Sequence, residues 1–316
     1  MEKLYLVGPF DGAVPDEFRK RLSNEIQVES ITSQDEYDRL QEADYIVLRT
    51  LQIREKDFRF LQKVKLIQRW GVGYDSVDVK KARKCGIPVA ITAGANATPV
   101  AEMTVLLILS VYRQLILLHT GIMEKRWERE KVIPVSHTIA GKKAGILGMG
   151  AIGKKVSGLL KAFGAEVYYN DVNPLSKEQE QELGVSFAST EDIVSNCEIV
   201  SIHTPLTEDT YHMFNAKMLS RMRKDAVLIN CARDEIVDSV SLAAALREGR
   251  ILGAGIDANE KSILDDNPYK GLENVVLTPH IGGNTVDNVD RMIDHCVRNI
   301  ETIRSGGELR RPDLVN

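Results

Sequence analysis

The sequence predicts an α/β protein of two domains, each built on a parallel sheet covered by helices. Three observations carry that expectation. The 316 residues exceed what one core of roughly 150 residues organises. Short apolar runs alternate with segments of helical period, the pattern of parallel β-α-β units. The alternation then restarts near residue 143, after a long apolar interruption.

In the first series, strands are expected over 4–7, 26–31, 45–48, 66–67 and 88–91. Amphipathic segments over 16–22, 35–41, 55–64 and 78–84 separate them and make right-handed parallel crossovers. One long apolar helix is expected over 100–126. In the second series, strands are expected over 144–147, 166–170, 198–203, 226–230, 251–256 and 275–277. A last helix over 285–303 closes the chain, and the sequence hints that it returns to complete the first domain.

Charge and composition exclude several classes of function. The 41 Lys and Arg against 45 Asp and Glu give a net charge of −4, which argues against nucleic acid or an anionic membrane as partner. The apolar stretch 103–112 is interrupted by Arg113 and Gln114 before it reaches the length of a membrane span. The N-terminal run lacks the basic flank and long apolar core of a signal peptide. Cys85, Cys197, Cys231 and Cys296 are too far apart for a C-x-x-C pair, so reduced thiols in a cytoplasmic protein are expected, and no metal site.

Chemistry enters at Gly148-Met149-Gly150-Ala151-Ile152-Gly153, a G-x-G-x-x-G run between an expected strand and an expected helix. Gly148 permits a tight turn, Gly150 admits a pyrophosphate to the backbone, and Gly153 lets helix and sheet approach. The N–H groups at the head of that helix, around Ala151 and Ile152, would face the phosphates. Alone, the pattern also fits a plain β-α turn. Asp171, which ends the next strand, lies near the spacing expected of the acidic residue that binds the adenosine ribose. Alone it would read as a turn residue; with the glycines it indicates NAD, since a carboxylate there repels the 2′-phosphate of NADP.

Several further motifs stand in a telling order: Arg69-Trp70-Gly71-Val72-Gly73-Tyr74-Asp75, Ala101-Glu102-Met103-Thr104, the glycine run, His203-Thr204-Pro205-Leu206-Thr207, Asn230-Cys231-Ala232-Arg233, Gly253-Ala254-Gly255-Ile256-Asp257 and Thr278-Pro279-His280-Ile281-Gly282-Gly283. In order and spacing the chain resembles the D-isomer-specific 2-hydroxyacid dehydrogenases over nearly its whole length. The resemblance implies two Rossmann-like/flavodoxin-like parallel-sheet domains, with the NAD-binding domain (99–284) inserted into the substrate-binding domain (1–98 and 285–316). It implies interconversion of a small 2-keto acid and its D-2-hydroxy acid.

Under that resemblance Arg233 grips the substrate carboxylate and polarises the ketone, as a planar guanidinium can. His280 is the acid/base. Gly71, Val72 and Gly73 offer backbone N–H groups to the carboxylate. Arg49, Thr50 and Leu51 form the substrate-selecting loop; Arg49 reads equally well as a ligand for a second anion or as an exposed side chain. Asn96 lies beside the substrate. Thr104, His203, Thr204, Pro205, Thr210, Cys231, Ala232, Gly282 and Gly283 line the cofactor, and Asp257 receives the nicotinamide carboxamide. By itself each of these residues also has a structural reading, as a cap, turn or core residue.

The sequence departs from the family in places. A Glu is usual at the position of Ser262, and Glu260, one of Asp265 and Asp266, or no carboxylate at all then partners His280. Asp234 follows Arg233 where Gly is common, and Trp70 brings bulk beside the glycine run. Two other functions therefore stay open: an NAD(H)-sensing, corepressor-like binding protein, and a formate- or phosphite-type dehydrogenase. The apolar surplus of the helical region 100–118 predicts a homodimer.

Overall fold

Twelve strands form, all in parallel pairs. They are β1 (Glu2–Val7), β2 (Ile26–Ile31), β3 (Tyr45–Leu48), β4 (Leu66–Arg69), β5 (Val89–Ala90), β6 (Lys143–Leu147), β7 (Glu166–Asn170), β8 (Ser186–Phe187), β9 (Ile199–Ile202), β10 (Val227–Asn230), β11 (Gly253–Ile256) and β12 (Val275–Leu277). The computed structural model describes residues 1–316, in two units: Met1–Asn96 with Asn284–Asn316, and Ala97–Gly283.

The first unit holds a five-stranded sheet of order β2-β1-β3-β4-β5, the doubly wound flavodoxin-like order. Its middle strands are buried on both faces, which is why 45–48 reads as a continuous apolar run, while β4 also buries Gln68 and Arg69. One apolar layer centres on Tyr37, Ile46, Ile67 and Val89. The other packs Leu4, Phe18, Tyr45 and Leu66 against Ile293, Cys296 and Ile300 of the last helix, Val286–Arg304. Residues 313–315 then run beside β5: Ile91 donates to the Asp313 carbonyl, and Val315 donates to the Val89 carbonyl.

The second unit holds a seven-stranded sheet of order β12-β11-β10-β9-β6-β7-β8. Counted within the unit this is 7-6-5-4-1-2-3, the dinucleotide-binding winding with one strand added. The winding reverses between β6 and β9, and ligands of such sheets bind outside the carboxyl ends of the strands at that point. Helix Ala97–Tyr112 lies on the sheet so closely that a Cβ at Gly255 would stand 2.8 Å from that of Leu107. Close packing therefore accounts for the Gly-Ala-Gly run of β11.

Three expectations need correction. The long helix of 100–126 is two helices, Ala97–Tyr112 and Leu115–Met123, bent by 64°. Gln114 breaks it, with φ of 50° in the left-handed region and its side-chain amide donating to the Val111 carbonyl. Segments 35–41 and 55–64 form tight 3-10 turns, Gln34–Glu42 and Glu55–Phe60. Their buried residues recur every third position, Tyr37 with Leu40 and Phe58 with Leu61, and that spacing suits three residues per turn. The edge strand β8 has two exposed residues and left no periodic signal. No single helix is long and apolar enough to cross a membrane.

Candidate active site

In the second unit the glycine run sits at the reversal point, at the end of β6. Gly148 has φ of +97°, and a Cβ there would stand 2.7 Å from the His203 carbonyl carbon, so the turns after β6 and β9 touch. A Cβ on Gly153 would strike the Gly148 carbonyl oxygen at 2.1 Å. Gly150 faces open space, with nothing within 4 Å of a Cβ, and heads helix Ala151–Ala162 with no side-chain cap. The N–H groups of residues 150–153 donate to no protein acceptor, which leaves the positive end of a twelve-residue helix open to an anion.

Asp171 follows β7 directly, and its carboxylate accepts from the N–H groups of Met149 and Asn173, at 2.7 and 2.8 Å. That ties the acidic residue to the glycine turn. Across the turn, the buried His203 Nδ1 and Thr204 Oγ1 have no hydrogen-bond partner, while His203 Nε2 lies 2.8 Å from Ser201 Oγ. Burial lowers the His203 pKa to about 4, so the ring is neutral near pH 7. Two orphaned polar atoms, an open helix head and a carboxylate one strand away together fit a dinucleotide.

Other residues expected along the cofactor are committed to the scaffold. Thr104 is fully buried, its hydroxyl donating to the Val100 carbonyl at 2.8 Å. Thr210 donates to the Pro205 carbonyl and closes the loop after β9. Burial pushes the Cys231 thiol up to about 12, against a hydrogen bond with Thr104, and keeps it protonated. Ala232 donates its N–H to the Asn230 side chain.

Arg233, Asp257 and His280 follow three neighbouring parallel strands, in register through Asn230, Ile256 and Leu277. All three leave the same edge of the sheet as the glycine run, and adjacent strands stand only about 4.8 Å apart. The Asn230 side chain holds the first turn, donating to the Arg233 carbonyl at 2.8 Å. The Arg233 guanidinium donates to the Ala232 carbonyl at 2.7 Å.

Asp257 is 2 % exposed and works as the anchor of the His280 loop. Its carboxylate accepts from Thr278 Oγ1 (2.5 Å) and from the N–H groups of Ile281 (3.0 Å) and Gly282 (2.8 Å). Its carbonyl accepts from the His280 N–H at 2.7 Å. Asn259 adds two bonds, to the carbonyls of Ile256 and Thr278. So braced, His280 takes φ of 52°, a left-handed conformation that a non-glycine residue keeps only where its surroundings over-determine it. Its Nδ1 lies 3.7 Å from Glu260 Oε1, charge-pair range but longer than a hydrogen bond. Burial raises the Asp234 carboxyl, Glu235 and Glu260 push the same way, and His212 and His280 oppose them.

In the first unit the loops after β3, β4 and β5 carry the expected substrate residues. Gly71 has φ of +133°. Its carbonyl accepts from the Thr92 N–H at 3.0 Å, and the Gly73 carbonyl accepts from Arg69 Nε at 2.8 Å. The N–H groups of Gly71, Val72 and Gly73 donate to no protein acceptor, which leaves them open to an anion, with the Gly71 and Gly73 carbonyls tied back. Arg49 lies over the Phe10 ring and donates to the Pro9 carbonyl at 2.6 Å. Thr50 packs on Gly8, and Leu51 is partly buried on the core. Trp70 packs edge-on to Phe10 and against Phe18, so its bulk serves the core. The Asn96 Oδ1 is buried without a partner.

Residues 105–282 match the family model for the NAD binding domain of D-isomer specific 2-hydroxyacid dehydrogenases. The chain is 35% identical over 283 residues to the glyoxylate reductase of Korarchaeum cryptofilum, covering 88% of this chain and 84% of that one. The chain belongs to the D-isomer specific 2-hydroxyacid dehydrogenase family. A second relative, the glyoxylate reductase of Pyrococcus horikoshii, is 31% identical over 315 residues, 96% of this chain and 93% of its own. The solved D-lactate dehydrogenase of Aquifex aeolicus, complexed with NAD and lactic acid, is similar with TM-score 0.86 and 25% identity, covering 99% and 98% of the two chains. The formate dehydrogenase of Staphylococcus aureus in complex with NAD matches at TM-score 0.88 and 25% identity, covering 99% of each chain.

As a family member the chain is an NAD-dependent oxidoreductase of 2-keto and 2-hydroxy acids. Sequence reasoning missed Asn230 and Asn259, which brace the turns around Arg233 and His280. Asn230 acts within its own turn, on a carbonyl three residues on, while Asn259 also reaches the Thr278 carbonyl, which only the fold brings near.

Proposed function

We propose that this family member reduces a small 2-keto monocarboxylate, glyoxylate first among the candidates, to its 2-hydroxy acid at the expense of NADH. The reaction consumes one keto acid, one NADH and one proton, and yields the hydroxy acid and NAD. What carries the proposal is the run of adjacent strand ends that presents Arg233, the Asp257-anchored loop and His280 on the sheet that also holds the glycine turn. The glyoxylate reductase relatives support the choice of substrate.

Bound NADH supplies the hydride. The open N–H groups at 150–153 bind its phosphates, Asp171 its ribose, and His203 and Thr204 line the other wall. Arg233 draws electron density from the keto oxygen and holds the carboxylate; its planar fork suits both. His280 gives a proton to the forming alkoxide and recovers it in the reverse direction. Glu260 stands within charge-pair range of that imidazole, at 3.7 Å from Nδ1. In the first unit, Met1–Asn96 with Asn284–Asn316, the nest at Gly71, Val72 and Gly73 takes a carboxylate, with Asn96 and residues 49–51 selecting the rest of the substrate. Arg49 already holds the Pro9 carbonyl and Phe10, which supports a substrate with no second anion.

We also assign the chain to the cytoplasm, on its four free cysteines, and read it as a homodimer. Leu106, Ile116, Ile122, Met123, Trp127 and Ile133 are each more than half exposed on one stretch of chain. An apolar surface of that extent marks an interface.

Purified protein with NADH and a panel of glyoxylate, hydroxypyruvate and pyruvate tests the reading. Loss of nicotinamide absorbance, fastest with the smallest acids, is expected. Binding of NADH without turnover of any keto acid would favour a sensor, and NAD-dependent oxidation of formate alone would favour the formate-type enzyme.

A further inference from the structure

The cation that fastens the substrate loops of the first unit is Arg69. It is the last residue of β4 and only 8% exposed. Its Nη1 donates to the carbonyls of Leu48 and Arg49, both at 2.7 Å, and its Nε donates to the Gly73 carbonyl at 2.8 Å. One guanidinium thus grips the end of β3, the start of loop 49–51 and the glycine nest. A fork of five donors spans such a set, and a lysine ammonium does not.

The grip has a directional consequence. In a trans peptide the C=O and N–H point opposite ways. Turning the Arg49 and Gly73 carbonyls toward Arg69 turns the N–H groups of Thr50 and Tyr74 away from it. Neither N–H donates to a protein acceptor. The Thr92 N–H does the same for the peptide between Gly71 and Val72, by holding the Gly71 carbonyl.

We propose that Arg69 is the positioning residue for the substrate carboxylate, and that the anion-binding set extends past the glycines to the N–H groups of Thr50 and Tyr74. The assignment rests on the reading of residues 71–73 as the carboxylate nest. Its ligand class is a small 2-keto or 2-hydroxy carboxylate. Arg69 orients the donors and does not itself take part in the chemistry.

The test uses the full chain as Arg69→Met and Arg69→Lys, with glyoxylate as substrate and oxamate as a non-reacting analogue. In Arg69→Met, KM and the oxamate inhibition constant rise together by about tenfold or more, while kcat stays within about threefold, the pattern of lost uniform binding. Arg69→Lys falls between Met and the unsubstituted chain. NADH affinity is unchanged, and amide exchange quickens at Trp70 and Thr92, whose N–H groups bond the Leu48 and Gly71 carbonyls. An unchanged KM in folded Arg69→Met overturns the assignment; should that variant not fold, an unchanged KM in Arg69→Lys does so. If the unsubstituted chain turns over no keto acid, the functional reading fails by itself. Amide exchange then decides the fastening, and unchanged exchange at both positions overturns it.

Discussion

Glu260 is the carboxylate that the structure sets beside His280, two residues ahead of the position where the family resemblance predicted one and where Ser262 stands. The contact is long and Glu260 is exposed, so its influence is electrostatic and partly screened. Glu260→Gln is expected to lower kcat for glyoxylate by roughly tenfold, well short of the 10²–10⁴ that a general acid contributes. Asp265→Asn is expected to leave kcat unchanged, and steady-state kinetics of the two variants decides between them. His203 carries a second consequence. Its folded pKa of about 4 lies below the ordinary 6.5, so between those values the unfolded chain binds more protons. Stability from this group is complete above pH 6.5 and is lost as pH falls toward 4, by at most about 3 kcal/mol. Burial lowers His295 as well, with Asp313 opposing, and it acts in the same direction. Thermal unfolding of the cofactor-free protein across that range is expected to show the loss, and His203→Asn to flatten it. Little of this could be read from the sequence. Glycines and catalytic types announce themselves by spacing, whereas Arg69 and Asn259 reach the Leu48, Arg49 and Thr278 carbonyls, which only the fold brings near.

Elements were more legible than their interruptions. The strands over 26–31, 45–48, 166–170 and 275–277 run as expected; Tyr45–Leu48 is buried throughout and reads as a continuous apolar run, while Ile26–Ile31 buries only Ile26, Val28 and Ile31. The break at Gln114 showed in the sequence only as a polar interruption of the apolar run, and its left-handed φ follows from packing. The broken pair matters for assembly: helix Leu115–Met123 turns away and carries Leu115, Ile116, Ile122 and Met123 on exposed surface. Ile116→Glu would set a charge into the proposed subunit interface. Sedimentation should show a dimer for the unsubstituted chain and a shift toward monomer for the variant, with NADH affinity retained. A monomer in both cases would remove the dimer from the account.

At the scale of the molecule, the winding order does most to locate function. The seven-stranded sheet reverses between β6 and β9, and the glycine turn and the His203 loop meet there. The strands beyond β9 add Arg233, Asp257 and His280 in succession along the same edge. The sequence showed the glycine run, and the resemblance supplied the roles. What brings these residues into one row is the register of parallel strands, a property of the fold. Stopped-flow reduction of glyoxylate by His280→Gln, beside a separate titration of its NADH affinity, tests that account most directly. The account predicts NADH bound as tightly as by the unsubstituted chain, and a hydride-transfer rate lower by about 10²–10⁴. An undiminished rate in the variant would contradict it.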